Sequence, residues 1–166
     1  MKRQSNHCVL GLHPSSRGFG WVLLEKCDSV FDWGTADVRE DKNTEALNRI
    51  RHLLDKYRPR AIAMEAFADT ASRRTARIRE LCESIGAEAH RRNVAVRTYT
   101  RNEVHGAFRG TKTRQEVAVA VARMLPVLKP RLPKPRKAWE SERANTALFQ
   151  AAACALTYFA LRDRGP

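Results

Sequence analysis

Residues 8–25 read Cys8-Val9-Leu10-Gly11-Leu12-His13-Pro14-Ser15-Ser16-Arg17-Gly18-Phe19-Gly20-Trp21-Val22-Leu23-Leu24-Glu25, two apolar runs around a polar turn. Residues 8–12 carry no charge on either face, which is the pattern of a strand buried on both sides. Residues 19–25 return as a second strand, and Gly18 and Gly20 are expected to free the backbone for the sharp turn between them. His13 then stands where the buried strand ends and the chain turns away. Mixed α/β sheets often place their chemistry there.

A second buried strand, Ala61-Ile62-Ala63-Met64-Glu65, follows Arg60 and terminates on a carboxylate. A charge closing a buried strand is either functional or a side chain reaching solvent at the sheet's edge. Between the two buried strands the pattern predicts a more exposed strand over 29–38 and a helix over 43–57. Leu47, Ile50, Leu53 and Leu54 recur there at helical spacing, and Pro59 ends the run. Beyond Glu65, Ile78, Leu81, Ile85 and Ala89 mark a long helix over 70–92. A strand over 94–99, a helical segment over 101–108 and a break at Gly110-Thr111-Lys112-Thr113-Arg114 come next. Val117, Val121 and Leu125 mark a further helix that stops at Pro126, and residues 144–161 form a largely apolar one. Residues 126–138 interleave Pro126, Pro130, Pro133 and Pro135 with Lys129, Arg131, Lys134, Arg136 and Lys137, without an acid. Proline at that density predicts an extended or mobile piece within one domain spanning 1–166.

The 166 residues hold 31 Lys and Arg against 18 Asp and Glu, a formal charge of +13. That excess favours a polyanionic partner, because each neutralised phosphate releases condensed counterions. Cys8, Cys27, Cys82 and Cys154 are scattered without zinc spacing, and Cys8 and Cys154 lie in apolar runs as small core residues. The N-terminal residues have no apolar leader region, and no run approaches the ~20 apolar residues of a membrane span. A reduced, cytoplasmic protein is expected.

The opening hairpin resembles that of RuvC-type Holliday-junction resolvases and their RNase H-like relatives. Their pattern is an apolar strand, then Asp-Pro-Gly-Ser, a few residues, and Gly-x-Gly. Pro14, Ser16, Gly18 and Gly20 fit it, and His13 stands where the catalytic aspartate is expected. The resemblance implies an RNase H-like (RuvC-like) α/β fold, a five-stranded mixed sheet flanked by helices. The 8–12 strand should lie in the middle beside 61–65, with His13 within a few ångströms of Glu65. It also implies clustered carboxylates holding two Mg²⁺ ions, one activating water and one stabilising the leaving oxygen. Glu65 matches the family's fourth-strand carboxylate. Imidazole suits Zn²⁺, Mn²⁺ or Fe²⁺ better than Mg²⁺, so His13 is either a ligand for a softer ion or a turn histidine bonded to backbone. At the last helix Gln150 precedes Ala151-Ala152-Ala153-Cys154-Ala155-Leu156, where an aspartate is expected. Glu142 is either a third ligand or an acid placed favourably at a helix N-terminus. The resemblance thus assigns His13, Glu65, Glu142 and Gln150 to the catalytic centre, and His13 and Glu65 to metal. A divalent ion, Mg or Mn, is implied if the site is active and none otherwise.

For binding, the family carries a base-stacking aromatic near Phe67, which reads equally as a core residue. Lys112 and Arg114 resemble the family's basic loop and are natural phosphate contacts, backed by a helix N-terminus. Arg73, Arg74, Arg77 and the basic run at 129–137 extend that surface. Two functions follow, both in the setting of DNA recombination. One is a pseudo-nuclease that binds branched or double-stranded DNA; the other is an active, metal-dependent, structure-specific endonuclease using His13 and Glu65. One or two carboxylates offset little of the four positive charges of two Mg²⁺ ions, which favours the first. RNA stays open beside DNA as partner, and so does the homodimer common in the family.

Overall fold

The computed structural model describes residues 7–66, 73–135 and 144–163, and within these the side chains of 73–75, 144 and 163 are left aside. Five strands form one sheet: β1 (Val9–Pro14), β2 (Gly18–Lys26), β3 (Ser29–Asp37), β4 (Ala61–Glu65) and β5 (Ala95–Tyr99). Their spatial order is β3-β2-β1-β4-β5. The β1–β2 and β2–β3 pairs are antiparallel, whereas β1–β4 and β4–β5 are parallel, so the sheet is mixed as expected. The helices are α1 (Lys42–Tyr57), α2 (Arg73–Arg91), α3 (Arg101–Ala107), α4 (Arg114–Met124) and α5 (Ala144–Asp163). No described helix is long and apolar enough to cross a membrane.

The uncharged composition of β1 follows from its central place, since both of its faces are covered. Leu10, Leu12, Ile62 and Met64 point to one side and pack with Ile50 and Leu54 of α1 and Leu81 and Ile85 of α2. Val9, Val22 and Ala63 point to the other and pack with α4 and α5. Strand side chains alternate, so His13 and Glu65, in phase with Val9 and Ala63, emerge on the α5 side.

Helix α5 lies almost on the backbone of the sheet. A Cβ built on Gly11 would stand 2.1 Å from the Ala151 carbonyl oxygen, and one on Gly20 2.3 Å from the Leu148 nitrogen. Gly20 therefore serves close approach of the helix and not the hairpin turn, which corrects the sequence reading. Gly18, at φ +155°, fits the turn role and also sits against the Ala36 carbonyl. The alanines at 147, 151, 152, 153 and 155 are all buried, so α5 is apolar around most of its circumference.

Residues 126–131 correct a second expectation. Pro126–Arg131 is a 3₁₀ helix and not an extended piece, with Pro126 at its first turn. Leu128 is fully buried in the α4–α5 core, the Arg131 guanidinium lies 5.3 Å from the Trp33 ring centre, and Gln115 Nε2 donates to the Pro133 carbonyl. One buried leucine and these two contacts outweigh the proline content. Residues 136–138 lie outside the described residues.

Candidate functional site

Parallel pairing of β1 with β4 sets Leu10 beside Ile62 and Gly11 beside Ala63. Continued by two residues, that register brings His13 beside Glu65. Their side chains meet as expected, with His13 Nδ1 3.9 Å from Glu65 Oε2 and both mostly covered, at 14% and 16% exposure. Arg114 reaches them from the first turn of α4, its Nη2 3.7 Å from Glu65 Oε1. That is ion-pair contact, too long for a hydrogen bond.

The position of Arg114 is fixed by local sequence. Thr113 caps α4 by accepting from the Glu116 amide, and Glu116 reaches back to accept from the Lys112 and Thr113 amides. The cap thus uses part of the helix N-terminus internally, and Lys112 is left exposed beside it.

Burial pushes the His13 imidazole down to about 3, and the charge of Arg114 pushes in the same direction. His13 is therefore neutral near pH 7, and its contact with Glu65 is not an ion pair. Cys154, buried on α5, senses the same group. Burial raises its thiol most, the negative charge of Glu65 adds to that, and Arg114 opposes it. The thiol stays protonated and is neither a ready ligand nor a nucleophile. Gln150, one turn earlier on α5, is also buried, at 6% exposure.

The turn after His13 is held from two helices. Ser15 N–H donates to Gly18 O, Lys42 Nζ donates to Ser16 O, and Arg77 Nη2 donates to Ser15 O. Arg77 also donates to Asn43 Oδ1, while Asn43 Nδ2 donates to the Arg77 carbonyl. Sequence reading placed Arg77 on the binding surface, whereas its guanidinium is engaged with the turn that positions His13. Lys42 and Asn43 went unnoticed as parts of this clamp. Nothing local to their positions at the start of α1 marks a partner more than twenty residues away.

No protein-family model matches the chain, and no curated protein does. Among solved structures, RuvC of Thermus thermophilus in complex with Holliday junction substrate is similar over 95% of this chain and 96% of that one, at 21% identity and a TM-score of 0.71. A second Thermus thermophilus RuvC structure is similar over the same shares, at 22% identity and a TM-score of 0.67. The fold is that of RuvC.

A RuvC-type fold raises the question of metal. Among the described residues no three His, Cys, Asp or Glu side chains come together as an ion site. What the described site offers is one neutral imidazole and one carboxylate, and that carboxylate already faces a guanidinium. Two hard dications need several oxygen ligands with compensating charge, so this donor set does not fit them. Of the other expected residues, Phe67 and Glu142 lie outside the described residues. Arg73 and Arg74 are described only as backbone in the first turn of α2.

Proposed function

We propose that this protein binds branched or double-stranded DNA through the basic surface beside the His13–Glu65 cleft, and that its nuclease site has lapsed. The observation that carries the reading is the partner of Glu65. At the end of β4, the carboxylate faces Arg114 and a neutral histidine, and among the described residues no further acid joins them. The cleft therefore does not repel phosphate, and the formal charge of +13 draws it in. The RuvC-type fold of a protein solved on a Holliday junction supports a junction as the first DNA to test. Lys112 and Arg114 are the proposed phosphate contacts, with Arg73, Arg74 and the basic residues after Pro126 as auxiliaries.

The binding test is a gel shift with four-way junction, duplex and RNA over a salt series. Alanine at Lys112 and Arg114 together should weaken binding and flatten the salt slope by one to two units, or roughly one per lost phosphate contact. Equal affinity of wild type and double variant at low salt removes this surface. Sedimentation of the junction complex separates one bound chain from two. For catalysis, junctions and flaps are incubated with Mg²⁺ and then Mn²⁺. Wild type should leave them intact, whereas His13→Asp with Gln150→Asp restores an acidic site. Cleavage by wild type that Glu65→Ala abolishes would establish the competing reading, an active endonuclease built on His13 and Glu65.

A further inference from the structure

A residue that only met phosphate would turn its guanidinium outward from the rim. Arg114 turns inward, and with His13 it leaves both carboxylate oxygens of Glu65 faced, at 3.7 Å and 3.9 Å. We propose that Arg114 is the resident cation of this centre, taking the charge-compensating place of a divalent ion and closing Glu65 to metal. The proposal rests on the lapsed-site reading and deepens it by naming what replaced the metal.

Three features support the assignment. The charges match, since one guanidinium balances one carboxylate. A dication would leave an uncompensated positive charge on the same donors, beside a second cation. The cation is also tethered. Arg114 follows the cap residue Thr113 directly, and the capping box fixes its backbone, so the guanidinium competes for Glu65 intramolecularly. Finally, its environment suits the task. The Glu65 side chain is 16% exposed and that of Arg114 41%, so the carboxylate is the more shielded member of the pair.

The test is metal binding by the full chain without DNA. Mn²⁺ is titrated and the free ion read by electron paramagnetic resonance, with Co²⁺ absorption as a second probe. Wild type and Glu65→Gln should take up Mn²⁺ equally weakly, because Glu65 is closed. Arg114→Gln should bind Mn²⁺ at least tenfold more tightly than wild type, and Arg114→Gln with Glu65→Gln should return to the wild-type level. Arg114→Lys, which keeps the charge, should stay closed. Saturable Mn²⁺ binding by wild type that Glu65→Gln removes overturns the proposal, and so does Arg114→Gln binding no better than wild type. The wild-type and Glu65→Gln comparison needs no change at Arg114, so it decides even if the Arg114 variants fold poorly. If wild type binds Mn²⁺ through Glu65 without cutting DNA, only this proposal fails. If it also cuts, the lapsed-site reading fails with it.

Discussion

Three glycines give substitutions of opposite sign, and the difference between them measures how closely α5 is pressed onto the sheet. An alanine Cβ at Gly11 would stand 2.1 Å from the Ala151 oxygen, and one at Gly20 2.3 Å from the Ala147 carbonyl carbon and the Leu148 nitrogen. These obstacles are helix backbone, so no side-chain rotation relieves them. The helix would have to retreat by roughly 1 Å from a close-packed face to restore ordinary contact. Overpacking of this kind costs about 3 kcal/mol, and for a chain of this size that lowers Tm by about 6–12 °C. Gly86, inside α2, is the control, because nothing lies within 4 Å of a Cβ built there. Gly86→Ala should stabilise by about 0.5–1 kcal/mol, the ordinary gain of replacing a helical glycine. Thermal melting followed by circular dichroism reads all three. If Gly11→Ala or Gly20→Ala melts within about 2 °C of wild type, the close helix–sheet contact is wrong, and with it the placement of Cys154 near Glu65.

The remaining predictions concern stability and pH. Burial alone would raise the Glu88 carboxyl, but hydrogen bonds from Arg92 and Arg51 and the charge of Arg91 outweigh that and hold it down to about 2. Its contribution is therefore full above its ordinary value near 4.5 and falls away as pH drops toward 2. Glu88→Gln should cost about 1–2 kcal/mol at pH 7 and little at pH 2, by urea unfolding. His13 binds its proton near pH 3 when folded but near 6.5 when unfolded, so it withdraws stability as pH falls between those values. His13→Gln should flatten that limb of the stability–pH curve, and an unchanged limb refutes a neutral, buried His13. Leu128→Ala should cost about 2–4 kcal/mol if the segment after Pro126 is packed, and nothing measurable if it hangs free.

How much could be read from the sequence depended on whether the governing pattern was local. The uncharged run 8–12 and the run 61–64 identified the two buried strands without help. That these strands lie side by side, with His13 near Glu65, was implied by the family resemblance and not by periodicity, and the observed register brings the two side chains together. The arginines were harder. Arg114 and Arg77 look alike in the sequence, each a basic residue in a helix's first turns. One meets a carboxylate 49 positions earlier and the other a carbonyl 62 positions earlier, and neither separation carries a periodic signal. The proline-rich segment misled for the complementary reason. Proline forbids an α-helix but fits the start of a 3₁₀ turn, and the burial of Leu128 that decides the matter is a tertiary fact.

The same distinction explains how this fold holds its geometry whatever charges stand at the candidate site. Residues 13 and 65 are brought together by strand register, and α5 is brought to them by Gly11, Gly20 and the alanines it faces. None of those requirements depends on what charge sits at 13, 65 or 150. A cleft lined by several acids repels phosphate until cations fill it, so binding and metal uptake are coupled there. In this protein Glu65 and Arg114 cancel, while His13 and the Cys154 thiol are neutral. The described site carries no net charge, and exposed Lys112 tips its rim positive. Under the proposed function, a backbone phosphate would then approach without a metal, and the basic surface alone would control DNA binding.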